Sequence, residues 1–305
     1  MQTVREKPSI DEIVMFGDSY EDDGALLRLT EAAVKANIPE ATLIPGAPEE
    51  KTYWKGRWSN GPTLVEVLAR SLKVPLVNYA IGGAKSGEGN YYAWLDYVAE
   101  SGLAGQIDSY GHDLGASRAH PHAIYMVSAS TNDYCQFHDF HQPGRLPVGD
   151  AAGLSYEDLA DRAARNVRAA VERLAALGAR RIVVFSSYPV GQSPLATTTD
   201  PQVSQANRFT DRFDKELRRE LKLLKPSDAK ITIFPIAGLI RSILRSPLKY
   251  GIANTSQPCQ PTVPKPGTAC AAPDSYVWWD ELHPTAQMHR LLGKRLAEHL
   301  GITAN

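Results

Sequence analysis

The chain has 305 residues, 43% of them hydrophobic and 22% charged, with a formal net charge of −1. This composition suits a globular protein with room for a full core, and so small a net charge gives no electrostatic reason to expect a nucleic-acid or anionic-membrane partner. No apolar run approaches the roughly 20 residues of a membrane span. Met1 to Pro8 lack the apolar stretch of a signal peptide, which reads as either a cytoplasmic protein or the mature form of a secreted one.

The first strong element is Ile13-Val14-Met15-Phe16, an unbroken apolar run that reads as a buried strand. It ends at Gly17-Asp18-Ser19-Tyr20. A serine just past a central strand, before a helix, is where an open α/β sheet presents its chemistry. The plainer alternative for Gly17-Asp18-Ser19 is a turn with a helix cap. Leu26, Leu27, Leu29, Ala33 and Val34 have helical spacing over Ala25 to Ala36, and Pro39 to Lys51 reads as a loop. Ser59 or Asn60 is placed to cap a helix from Pro62 to Leu72, with Leu64, Val65, Val67, Leu68 and Leu72 as its apolar face. The aromatics just before it, Tyr53, Trp54 and Trp58, could line a pocket or cover the edge of the core.

Val74 to Tyr79 reads as the second strand and runs into Gly82-Gly83. Paired glycines after a strand let backbone N–H groups come close to a ligand. The pattern is not a P-loop and no G-x-G-x-x-G follows the first strand, so an oxyanion is a better candidate than a nucleotide phosphate. A helix over Leu103 to Tyr110 precedes the third strand, Ala123 to Val127, which ends in the polar run Ser128 to Asp133. Phe137 to Gly153 looks like a loop. Its His138 and His141, with His122, match no metal-ligand spacing, so neither a metal nor a cofactor is expected.

Tyr156 to Leu177 is an amphipathic helix stopped by Gly178. Arg181 to Phe185 and Ile231 to Phe234 are the fourth and fifth strands. Ser187 to Thr199 is a loop, Gln202 to Leu224 and Pro235 to Leu244 are helices, Tyr250 to Trp279 is a loop, and Ala286 to Leu300 is the last helix. Within that long loop, a bridge between Cys259 and Cys270 would staple a segment with no core of its own, for ~2–3 kcal/mol. Two free thiols in a reducing cytosol are the alternative, and Cys135 is the odd cysteine. Five short strands alternating with helices imply an α/β domain, a mostly parallel sheet with helices on both faces, spanning 1–305 as one unit.

The partner a serine nucleophile needs lies near the other end, in Trp279-Asp280-Glu281-Leu282-His283-Pro284-Thr285. A carboxylate three residues from an imidazole can orient it and stabilise its charged form.

Four blocks therefore stand in sequence: Gly17-Asp18-Ser19, Asn78-Tyr79-Ala80 with Gly82-Gly83, Thr131-Asn132-Asp133, and Asp280 with His283-Pro284. With the G-R-W-S-N-G of Gly56 to Gly61, they resemble the SGNH/GDSL hydrolase family, in the branch of plant GDSL esterases, fungal acetylesterases and bacterial lipase-like enzymes. The likeness covers nearly the whole chain. It implies a three-layer α/β/α sandwich with a five-stranded, flavodoxin-like sheet. It implies Ser19 as nucleophile, His283 as base and Asp280 as the carboxylate that orients it. The implied oxyanion hole is the Ser19 N–H, the Gly83 N–H and the Asn132 side-chain amide, with Gly83 preferred to Gly82 because it lies five residues after Asn78.

Asp18 and Asp133 read as loop-organising carboxylates. Two positions depart from the family pattern: Ser130 stands where the third block has glycine, and Tyr20 where the first has leucine. The implied activity is carboxylic ester hydrolysis through an acyl-serine intermediate, without a cofactor. The lack of a long apolar lid pattern points to short acyl or acetyl esters of a small molecule, lipid or sugar. Trp54, Trp58, Trp278 and Trp279 could stack on a sugar or simply pack the core. The alternatives are acyl transfer to an alcohol, a lipase or phospholipase on longer chains, and a binding protein that keeps the fold.

Overall fold

A computed structural model describes residues 10–45, 52–140, 153–198, 200–224, 228–263 and 265–302. Five strands form one parallel sheet: β1 (Glu12–Phe16), β2 (Leu76–Asn78), β3 (Ala123–Val127), β4 (Arg181–Phe185) and β5 (Lys230–Phe234). Their spatial order is β2-β1-β3-β4-β5. Each neighbouring pair is parallel, with Val14 opposite Val77 on one side of β1 and Tyr125 on the other. This is the flavodoxin-like order, and its switch point lies beside β1.

The apolar runs of β1 and β3 are continuous because both faces of the sheet are covered. Val14, Phe16, Tyr125, Val127 and Val184 pack against one group of helices: α3 (Leu103–Leu114), α4 (Thr131–Phe140), α5 (Tyr156–Leu177) and α6 (Asp200–Lys222). Ile13, Met15, Ile124, Met126 and Val183 point the other way, onto α2 (Leu64–Leu72), α7 (Ile236–Arg245) and α8 (Ala286–His299). The expected three-layer sandwich is thus present, with α1 (Ala25–Lys35) at the edge where the strands end. Among the described residues no helix is long and apolar enough to cross a membrane.

Three expectations need correction. α2 starts at Leu64, not Pro62, and its N-cap is Thr63, whose N–H donates to Glu66 at 3.0 Å. Ser59 and Asn60 are engaged elsewhere: the Ser59 hydroxyl donates to Pro284 O at 2.9 Å and Asn60 Oδ1 accepts from Ala286 N at 2.7 Å. Second, Phe137 to Phe140 continue α4 rather than opening a loop, and residues 141–152 lie outside the described set. Third, the long loop after Tyr250 contains a small parallel sheet of β6 (Asn254–Pro258) and β7 (Tyr276–Trp278). β6 reads N-T-S-Q-P, with no apolar alternation to announce a strand. In the same region Cys259 and Cys270 are bridged, while Cys135 is a free buried thiol.

Candidate active site

Each polar block sits at the edge of the sheet where the strands end. Ser19 follows β1, Gly82-Gly83 follow β2, and Asn132 lies in the first turn of α4 after β3. The chain between β7 and α8 brings Asp280 and His283 to the same edge. There the Ser19 Oγ lies 2.8 Å from His283 Nε2. His283 Nδ1 lies 2.8 Å from Asp280 Oδ2 and 3.0 Å from Oδ1. A carboxylate can only accept, so Nδ1 carries the proton and Nε2 is left to accept from the serine hydroxyl. All three side chains are buried, Ser19 at 6%, Asp280 at 3% and His283 at 5% exposure.

Asp280 Oδ1 also accepts the backbone N–H groups of Leu282 at 2.8 Å and His283 at 2.6 Å. Burial pushes the Asp280 carboxyl up, but the His283 charge and these donors outweigh it and hold it below its ordinary value. It stays ionised beside the imidazole. Around them the Tyr20 ring lies 5.3 Å and the Trp58 ring 4.9 Å from the His283 ring.

Gly83 has φ +80°, and a Cβ there would fall 2.2 Å from Asn90 Oδ1. Only glycine fits that left-handed backbone beside Asn90. Gly82 donates its N–H to Asp22 Oδ2 at 2.7 Å, and the same carboxylate takes the N–H groups of Gly24, Ala25 and Leu26. Burial lifts the Asp22 carboxyl to about 6 against the pull of those four donors. The Asn132 amide donates one hydrogen to Ala84 O at 3.0 Å, which fixes the direction of the other. Ser19, Gly83, Asn132, Asp280 and His283 all line one cavity of about 340 Å³.

Asp133 accepts Ser86 N at 2.8 Å and Ser86 Oγ at 2.9 Å, a loop-organising contact as expected. Asp18 accepts Tyr20 N at 3.2 Å. Burial raises Asp18 to about 7, opposed by that N–H and by the His283 charge. Ser130 shows none of the positive φ that would demand glycine, and its hydroxyl meets Ser187 Oγ at 3.0 Å. The serine therefore fits the third block without strain.

Of Trp54, Trp58, Trp278 and Trp279, only Trp58 lines the cavity. Trp278 is core, Trp279 packs with Tyr53 and Cys259, and Trp54 lies under Lys55 and Arg57. His138 also lines the cavity, whereas His122 is exposed and His141 lies outside the described residues. Among the described residues no three His, Cys, Asp or Glu gather as metal ligands.

Sequence reading missed the contacts of two tyrosines. Tyr20 stacks on Tyr188 at 3.5 Å and its hydroxyl donates to Leu282 O at 3.3 Å, which braces the segment carrying His283. Tyr53 donates to Asp280 Oδ2 at 2.8 Å. Neither has a local signature, because both partners are more than 200 residues away.

A serine hydroxyl, an imidazole and a carboxylate in series at the switch point of a doubly wound sheet define a serine-hydrolase type of site. The chain belongs to the GDSL-like Lipase/Acylhydrolase family, whose model matches residues 13–296. It is accordingly a carboxylic ester hydrolase. It is 25% identical over 321 residues to a GDSL esterase/lipase of Arabidopsis thaliana, covering 92% of this chain and 85% of that protein. It is 21% identical over 304 residues to the thermolabile hemolysin of Vibrio parahaemolyticus, covering 95% of this chain but 63% of the hemolysin. Among solved structures, a catalytic mutant of an acetylxylan esterase from Geobacillus stearothermophilus superposes with a TM-score of 0.50 at 13% identity, covering 97% of each chain. That last likeness bears on the fold alone.

Proposed function

We propose that the chain hydrolyses short-chain carboxylic esters as one hydrolase domain, with Ser19 as nucleophile, His283 as general base and Asp280 as its orienting carboxylate. One observation carries the reading: the 2.8 Å contact from Ser19 Oγ to His283 Nε2, with Asp280 behind the ring. In the first step Ser19 Oγ bonds to the ester carbonyl carbon as its proton passes to His283 Nε2. The carbonyl electron pair moves onto oxygen, where the N–H groups of Ser19 and Gly83 and the Asn132 amide would hold it, each for ~3 kcal/mol. Collapse of that intermediate breaks the bond to the alcohol, which leaves with the proton from Nε2. Water then attacks the acyl-serine with His283 again as base, and the acid departs as Ser19 regains its proton.

The small cavity favours short acyl groups, carried on a small molecule, lipid or sugar. Tyr91, Tyr92, Tyr134 and His138 on its wall offer aromatic and polar surface to the alcohol part. The Cys259–Cys270 bridge supports an oxidising compartment.

Replacing Ser19 by alanine is expected to lower kcat on p-nitrophenyl acetate by about 10⁵–10⁶-fold with thermal unfolding unchanged. Retained hydrolysis would overturn the mechanism. A series of p-nitrophenyl esters of increasing acyl length is expected to lose kcat/KM beyond butyrate. Product analysis with added alcohols separates hydrolysis from acyl transfer: ester products growing with alcohol concentration would favour the transferase reading.

A further inference from the structure

We propose that Tyr53 is a positioning residue that extends the series to Tyr53–Asp280–His283–Ser19 and sets the basicity of His283. This rests on the functional reading above. Asp280 Oδ2 receives two side-chain donors, the His283 Nδ1–H and the Tyr53 hydroxyl, each at 2.8 Å. Its other oxygen is taken up by the backbone N–H groups of Leu282 and His283. The two donors on Oδ2 therefore compete for the same negative charge. A tyrosine that draws on that charge weakens the pull of the carboxylate on an imidazolium, and it also fixes the carboxylate plane.

The tyrosine is built to stay in place. Its side chain is buried at 6% exposure, in a cluster with Trp279 and the bridged Cys259. Its ring lies 5.2 Å from Trp58, which in turn lies against His283. Burial first, and then the Asp280 charge, push the Tyr53 hydroxyl far above its ordinary range, so it remains a donor at every working pH. Other titratable groups face this series. They are Asp18 and Tyr20 from the loop after β1, His289 from α8, Glu281 beside Asp280, and Tyr92 near the Tyr53 hydroxyl. All are retained when Tyr53 alone is changed.

The test is the pH profile of kcat/KM for Tyr53→Phe beside wild type. Loss of the donor leaves more charge on Oδ2, so the imidazolium is better stabilised and the acidic limb moves up by about 0.5–1 pH unit. The looser carboxylate also lowers kcat, by about three- to tenfold. Site-specific replacement of Tyr53 by 3-fluorotyrosine, a stronger donor of nearly the same shape, is expected to move the limb down. An acidic limb that stays put in both proteins, whether or not kcat falls, would overturn the proposal and leave Tyr53 as packing. Should the phenylalanine variant fail to fold, the fluorinated protein decides alone. Ser19→Ala assayed in parallel keeps the two readings apart. Residual activity there sinks the nucleophile assignment, whereas a dead Ser19→Ala with an unmoved Tyr53→Phe limb sinks only this inference.

Discussion

The two segments that meet at the Ser19–His283 hydrogen bond are held by different means. The segment of the proposed nucleophile, Ser19, hangs from the sheet. Ser128 N bonds to Phe16 O and Ile81 N to Gly17 O, so the ladder runs past the strand ends into the loop. The Gln106 side chain closes on both the N–H and the C=O of Gly17, and Asp22 gathers four backbone donors. The segment of the proposed base, His283, belongs to no strand of that sheet. Residues 52–64 clasp it from across the sequence: Trp279 Nε1 donates to Thr52 O, Ser59 Oγ to Pro284 O, Ala286 N to Asn60 Oδ1, and Leu64 N to His289 Nδ1. One half is fixed by backbone and buried charge. The other is fixed by single hydrogen bonds between segments 225 or more residues apart. A change in buried charge should therefore damage the first half more than loss of one clasp damages the second.

The largest effect is expected at Asp22. Asp22→Asn keeps the shape but replaces one acceptor oxygen with an NH₂ that faces backbone N–H groups. Leaving buried donors unsatisfied costs about 3 kcal/mol or more. The freed Gly82 N–H lets the proposed oxyanion donor Gly83 drift, and loss of one such donor is worth about 10²–10³ in kcat. Denaturant unfolding and kcat on p-nitrophenyl acetate read the two effects. A variant as stable and as active as wild type would break the contrast between the halves.

The residues of both halves that face the cavity were legible in the sequence, and most of what holds them in place was not. The run Ile13 to Phe16, the glycines at 82 and 83 and the order of the blocks are local signals, and they carried the fold and the residues now facing one cavity. What stayed hidden is what depends on distant partners. Ser59 and Asn60 look like helix caps because their chemistry is that of caps, and nothing nearby reveals that α8 claims them instead. Tyr53 reads as one of the aromatics before α2 that line a pocket or cover the core edge, and Tyr20 only as a departure from the family's leucine, since a hydroxyl that ends on Asp280 or Leu282 leaves no trace in its own neighbourhood. The helix at Thr131–Phe140 was obscured by its polar first turn, whose Asn132 and Asp133 are committed to Ala84 and Ser86.

A smaller effect is expected at Asn60. Its Oδ1 accepts the N–H of Ala286, the first residue of α8, at 2.7 Å. Asn60→Ala removes one clasp and leaves Ser59, Trp279 and His289 in place. The expected loss is about 1 kcal/mol of stability, with kcat/KM down by a few-fold because His283 is less firmly held. Thermal unfolding and steady-state kinetics measure both. A loss as large as that of Asp22→Asn would show that the clasps act as one cooperative unit rather than as separate bonds.

The smallest effect near pH 6, and the most selective, lies in how the two halves respond to acid. His289 is buried, and its Nδ1 accepts the Leu64 N–H at 3.1 Å. Burial, and then the His283 charge, lower it from the ordinary 6.5 to about 3. Between those values the unfolded chain takes up a proton at this position and the folded chain does not. Stability from this group is thus complete above about 6.5 and falls as the pH drops toward 3, by up to about 1.4 kcal/mol per pH unit. The carboxylates of the nucleophile half act in the opposite sense. Asp18 and Asp22 are raised from 3.8 to about 7 and about 6, so the folded form holds protons that the unfolded form has released, and stability falls as the pH rises through that window. The wild-type curve is the sum of both and is flattened by their cancellation. His289→Asn keeps an acceptor for Leu64 N and removes only the imidazole. Its stability relative to wild type is therefore expected to climb as the pH is lowered from about 6.5, with the carboxylate contribution common to both proteins and absent from the difference. A difference that stays constant with pH would mean that His289 takes up its proton in the folded chain, and that the base half is not clasped by a neutral ring.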